Sequence, residues 1–108
     1  MSTALLVMIS CADKNQAERI GEQILKKKLA ACVQIVNRVD SIFLWPPRKN
    51  QLDYADEALL LVKTLDTKWQ ALEKEVLRAH SYENPEIIAV PLTHVTRKYL
   101  DWLTSELS

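Results

Sequence analysis

Apolar residues recur along this chain in two rhythms. One is continuous or alternating and suits strands; the other returns every three to four residues and suits helices. Ala4-Leu5-Leu6-Val7-Met8-Ile9 is a short unbroken run, the pattern of a strand covered on both faces. Asp13 is placed to cap the helix that follows, with Gln16 as its reciprocal partner. Ala17, Ile20, Ile24 and Leu25 then recur at helical spacing through about Leu29. From Cys32 to Trp45 the chain becomes rich in β-branched residues. Val33, Ile35 and Val39 predict a long strand there, bent or bulged between Asn37 and Asp40. Pro46-Pro47-Arg48-Lys49-Asn50 is a turn or edge, because prolines donate no ladder bonds. A second long strand is predicted from about Tyr54 to Thr64, with Ala58-Leu59-Leu60-Leu61-Val62 at its heart. Asp66 is expected to cap a second helix, in which Trp69, Leu72 and Val76 share a face and His80-Ser81 marks the end. Ile87-Ile88-Ala89-Val90 reads as a fourth strand stopped by Pro91. Thr96 is expected to cap a last helix presenting Tyr99, Leu100, Leu103 and Leu107.

The order β-α-β-β-α-β-α is the split βαβ, or ferredoxin-like, arrangement with one added helix. The predicted class is therefore α+β: an antiparallel sheet with helices on one face, formed by residues 1–108 as a single domain. This topology raises a physical problem. If both crossover helices cover one face, the other should be polar, yet the runs around Val7, Leu60 and Ile88 are apolar at every position. The exposed patch would exceed what soluble monomers usually show. The last helix can shield part of it, and copies of the same chain are the expected cover for the rest.

Composition narrows the function classes. Lysine and arginine total 14, as do aspartate and glutamate, so the chain is formally neutral. That balance gives no basic face for nucleic acid and no cationic helix for a membrane surface. Lys26-Lys27-Lys28 falls near a predicted helix end, where cations suit the macrodipole. No stretch approaches the ~20 apolar residues that cross a bilayer. The start Met1-Ser2-Thr3 lacks the basic residues of a secretory signal, and the two cysteines lie far apart in sequence. Together these predict reduced thiols and a cytoplasmic protein. A single glycine, Gly21, cannot build a P-loop or a dinucleotide fingerprint, and Cys11 and Cys32 form no CxxC pair. No catalytic signature is present, so no enzyme and no organic cofactor are expected.

Two side chains carry candidate chemistry. Cys11 follows the first strand, where it is either a small buried hydrophobe or a soft ligand suited to copper(I) or zinc. His80 ends the second helix, where it is either a C-terminal cap or a ligand. Cys32 opens an apolar strand and reads as core. His94 is the only other imidazole and lies beyond the fourth strand.

Three stretches, in this order and at these separations, carry a family resemblance: Leu29-Ala30-Ala31-Cys32-Val33, Ser41-Ile42-Phe43-Leu44-Trp45 and His80-Ser81-Tyr82-Glu83-Asn84-Pro85-Glu86. The chain resembles the CutA family, small trimeric proteins linked to divalent-cation tolerance, over nearly its whole length. The resemblance implies a homotrimer and a copper site built from a cysteine after the first strand and paired histidines before a tyrosine-containing turn. Cys11 matches the cysteine and His80 the second histidine. Ala79 stands where the first histidine would be, and Ser81 where a proline is more typical. Two ligands hold a transition metal weakly unless water or another subunit completes the shell. Tyr82, Pro85, Glu86, Trp45, Lys63 and Thr64 also follow the family's pattern, and their polar groups are the candidates for a small-ligand pocket near subunit clefts.

Two functions follow from the resemblance. The first is a non-enzymatic protein of metal response, binding copper or another divalent cation through Cys11 and His80. The second is a trimeric module, similar to the PII signalling proteins, whose clefts bind a small ligand or a partner protein of unspecified identity.

Overall fold

The structure is a computed structural model and describes residues 2–108. Its elements are β1 (Ala4–Cys11), α1 (Lys14–Lys26), β2 (Cys32–Leu44), β3 (Leu52–Leu65), α2 (Trp69–Ala79), β4 (Ile87–Pro91) and α3 (Arg97–Glu106). The strands form one sheet in the order β2-β3-β1-β4, and all neighbours are antiparallel. This is the ferredoxin-like α+β arrangement expected from the pattern.

Alternation in β1 and β3 divides the sheet into two faces. Val7 pairs with Val62, and Ile9 with Leu60, and all four are fully buried. They pack with Ile20 and Ile24 of α1 and with Leu72 and Val76 of α2, so both helices cover this face. The chain's only glycine explains how closely α1 settles. A Cβ on Gly21 would stand 3.1 Å from Cγ2 of Val33, so a larger residue there would push helix and strand apart.

The ends of α1 are built by side chains and by one unusual backbone conformation. Asp13 accepts a hydrogen bond from the Gln16 amide at 2.8 Å. The Gln16 side chain reaches back one residue further than a reciprocal box requires, accepting from the Ala12 amide at 2.7 Å. At the other end Lys28 adopts a left-handed φ of 59°. Its amide bonds Leu25 O and the Leu29 amide bonds Ile24 O, the two bonds of a Schellman closure with lysine in glycine's usual place. The helix therefore stops at Lys26, short of the predicted Leu29.

Two predicted caps are corrected. Asp66 begins a short 3-10 turn, Asp66–Lys68, ahead of α2. Its carboxylate accepts from the Thr3 amide at 3.0 Å and does not cap the helix. Thr96 occupies the N-cap position of α3, but its side chain makes no capping bond.

The β2–β3 hairpin shapes the molecule. Its register shifts between Val36 and Val39, overlapping the predicted span from Asn37 to Asp40, and continues in phase to Leu44 opposite Leu52. β3 therefore begins at Leu52, before the predicted Tyr54. The prolines leave an unpaired tip closed by the Trp45 amide to Gln51 O at 3.1 Å. A compact chain of this length has a radius of gyration of about 13 Å; here it is 14.7 Å, with extents of 45 × 26 × 23 Å. The hairpin projects.

The second sheet face is covered only at one end. Leu103 and Leu107 of α3 pack on Ala4 and Leu65. Val36, Ile88 and Val90 remain exposed on that face.

Candidate functional site

The chemistry-bearing residues meet where β1 ends, where the turn after α2 passes beside it, and where the hairpin leaves the sheet. Cys11 is the last residue of β1, not a residue beyond it, and shares the helix-covered face with Val7 and Ile9. Its thiol is fully buried and lies 3.9 Å from Ile9 O. Burial, reinforced by the carboxylates of Glu57 and Asp13, pushes this thiol up to about 11. The sulfur is therefore protonated near neutrality, a poor state for a metal ligand or a nucleophile.

His80 is the C-cap residue of α2, and its own amide closes the helix on Val76 O at 2.9 Å. The ring turns away from the helix. Nε2 lies 2.6 Å from Ser10 O, and Nδ1 accepts the Tyr82 amide at 3.1 Å. Nδ1 can accept only when it carries no proton, so the pattern assigns a neutral ring that donates from Nε2. The structure thus brings His80 against Ser10, the residue before Cys11 in β1, with both ring nitrogens already engaged.

Ser81 and Ser10 tie the same turn down. Ser81 accepts from the Gln16 side chain at 2.7 Å, and the Ser10 hydroxyl accepts from the Glu86 amide at 3.2 Å. Tyr82 stacks at a tilt on His80, with ring centroids 4.8 Å apart. Its hydroxyl donates to Glu57 at 2.8 Å. Burial and the Glu57 carboxylate raise the Tyr82 hydroxyl far above its ordinary value, so it remains a neutral donor.

Beside this turn lies a cavity of about 780 Å³. Ser41, Phe43, Asp53, Ala55 and Glu57 enter its wall from one face of the hairpin, with Trp45 at the strand end and Tyr82, Glu83 and Glu86 across from them. Trp45, Tyr82 and Glu86, named from sequence, do line it. Lys63 and Thr64 do not: the Lys63 ammonium bonds Gln34, and the Thr64 hydroxyl donates to Leu29 O at 2.7 Å. His94 also lies elsewhere, exposed and bonded to Thr93. Glu57 was missed. Its only signal was an acid set immediately before the apolar run Ala58 to Val62, where solvent would ordinarily be leaving.

The family described as CutA1 divalent ion tolerance protein matches residues 5–106. The chain belongs to the CutA1 family. The divalent-cation tolerance protein CutA of Thermus thermophilus is 37% identical over 98 residues, covering 91% of this chain and 92% of that protein. The chloroplastic protein CutA 1 of Oryza sativa is 34% identical over 100 residues, 93% of this chain. The chain spans about half of that plant relative, 55% of its length. Among solved structures, the periplasmic divalent cation tolerance protein CutA of Archaeoglobus fulgidus superposes with a TM-score of 0.91 at 33% identity. That match covers 97% of this chain and 99% of the other. The Thermus and Archaeoglobus proteins are thus named for tolerance of divalent cations, while the names of the Archaeoglobus and Oryza proteins give two different compartments.

The donor set near Cys11 can be tested against such a cation. One sulfur is buried and protonated, and both nitrogens of His80 are taken. Among the described residues, no group of three or more His, Cys, Asp or Glu side chains gathers to hold an ion. As arranged, the pair does not fit a bound transition metal.

Proposed function

We propose that this CutA1 protein serves divalent-cation tolerance without catalysing a reaction, as a homotrimer whose clefts receive a small ligand or a partner protein. The observation that carries this reading is the engagement of His80. Its two nitrogens hold Ser10 and Tyr82, so the imidazole fixes the turn that carries Tyr82 into the wall of the neighbouring cavity instead of offering a free ligand. The side chain that most resembles a metal donor is spent on shaping a cleft.

Assembly has separate support. A compact monomer of 12.4 kDa exposes about 6,100 Å², whereas this chain exposes 7250 Å². The surplus is rich in apolar side chains along the hairpin and the open sheet face. Three chains meeting through their long hairpins would cover it, and closed cyclic symmetry would stop further growth. Two free cysteines, one fully buried, suit a reducing cytoplasm.

Copper titration under reducing conditions tests the reading in wild type, Cys11→Ser and His80→Ala, with mass followed by light scattering. The expected result is a mass of about three chains and the same copper stoichiometry in all three proteins. Loss of copper from both variants would instead establish Cys11 and His80 as a metal site. A stable soluble monomer would remove the subunit clefts altogether.

A further inference from the structure

Among the described residues, the cavity at the foot of the hairpin is lined by acidic, aromatic, aliphatic and neutral polar side chains and by no basic one. Glu57 is its most constrained member. It is only 9% exposed, and one carboxylate oxygen accepts the Tyr82 hydroxyl at 2.8 Å. Among the described residues no lysine, arginine or histidine pairs with it, although the neighbouring Asp56 is paired with Arg38. A carboxylate so far removed from water ordinarily has a cationic partner. The neutral Tyr82 hydroxyl supplies a hydrogen bond and leaves the charge uncompensated.

We propose that this cavity binds a small organic ammonium ion, an alkyl amine or diamine, held between the Glu57 carboxylate and the rings of Phe43, Trp45 and Tyr82. This rests on the cleft reading above and names the chemical class of its ligand. Four features converge on that class. The buried carboxylate calls for positive charge. Aromatic faces attract ammonium groups through their quadrupoles, more strongly where water is displaced. Glu83 and Glu86 at the exposed rim raise the local concentration of cations. The volume of about 780 Å³ lies in the range of small-molecule sites. A bare divalent cation would need several oxygens converging on one point, and the described carboxylates do not converge.

Isothermal titration of the full-length protein at fixed ionic strength tests this, with putrescine as probe, butanediol as its neutral analogue and magnesium chloride as the inorganic competitor. Putrescine is expected to bind at about one per chain, butanediol is expected not to bind, and magnesium is expected not to displace putrescine. Glu57→Gln should weaken putrescine by about tenfold or more. Phe43→Leu should weaken it by a smaller factor, and it supplies an independent variant should Glu57→Gln misfold. Glu22→Gln, an exposed acid on α1 outside the cavity, should leave binding unchanged. The inference is overturned if putrescine gives no more heat than butanediol, if magnesium displaces it, or if Glu22→Gln weakens it as much as Glu57→Gln. Native mass spectrometry separates this failure from that of the cleft reading. Failure of putrescine with another small-molecule adduct lost in Phe43→Leu overturns the ammonium class alone, whereas a monomer without adduct overturns both.

Discussion

Strands β2 and β3 pass through two different environments along a single ladder. In the proximal half, Val33 pairs with Val62 and Ile35 with Leu60, beneath α1. In the distal half, Ile42 pairs with Tyr54 and Leu44 with Leu52, and these four are between 62% and 66% exposed. The residue types are alike and the hydrogen bonding continues through the bulge. The difference is coverage, because the hairpin extends past the last turn of helix available to lie on it. Strand-forming residues thus close a core at one end and offer an adhesive surface at the other.

Leu60→Ala probes the closed half most severely. Leu60 is fully buried, and its truncation should cost about 3 kcal/mol in denaturant unfolding, from lost burial and the cavity left behind. A loss below about 1 kcal/mol would mean that this half collapses easily and is less distinct from the distal half than its burial implies. Asp13→Ala should cost about 1 kcal/mol by freeing the Gln16 amide, without altering the hairpin. In the opposite direction, Lys28→Gly should gain about 0.5 kcal/mol, since glycine accepts the left-handed φ that lysine resists. Thermal unfolding would show both.

Acid dependence tests how the helix layer over the closed half is sealed. Glu75 of α2 takes hydrogen bonds from Arg78 and from Lys27 beyond α1, and these hold its carboxyl below the usual range despite the opposing effect of burial. A lowered folded value stabilises the fold above the ordinary carboxylate range, and this is lost as pH falls through the folded value. Glu75→Gln should therefore be less stable near neutrality and should lose less stability on acidification. Parallel denaturation curves for the two proteins at all pH values would contradict the ion pair's role.

The smallest effect on the single chain is expected from Ile42→Ser combined with Leu44→Ser. Exposed positions of this kind change folding by within about 0.5 kcal/mol each. Far-UV circular dichroism should stay the same while light scattering shows a mass below that of the proposed trimer. Lost secondary structure would mean that the distal half is closed within its own chain.

Much of the fold was legible because hydrophobic rhythm reports secondary structure directly. Ala17, Ile20 and Ile24 face the core as their spacing requires, and the bulge lies between Val36 and Val39, where the β-branched pattern is interrupted. The caps were less legible. Asp66 has the right chemistry for a cap, but Thr3, distant in sequence, takes its carboxylate first. The site was legible only in part. Trp45, Tyr82 and Glu86 were named through the family resemblance, whereas Glu57 looked like one more strand acid, since only the fold lays Tyr82 over it.

By itself the sequence determined the order of elements, their lengths to within a few residues, and the mismatch between an apolar sheet and too few helices to cover it. Those properties follow from local periodicity and composition, which are carried by neighbouring residues along the chain. Tertiary structure alone decided which apolar residues are covered, that Cys11 faces the core as a protonated thiol, and that both nitrogens of His80 are engaged. It also decided that Glu57 is buried with no cationic side chain paired to it among the described residues. The availability of a side chain for chemistry depends on desolvation and on competing hydrogen-bond partners, and both are set by residues far away along the chain.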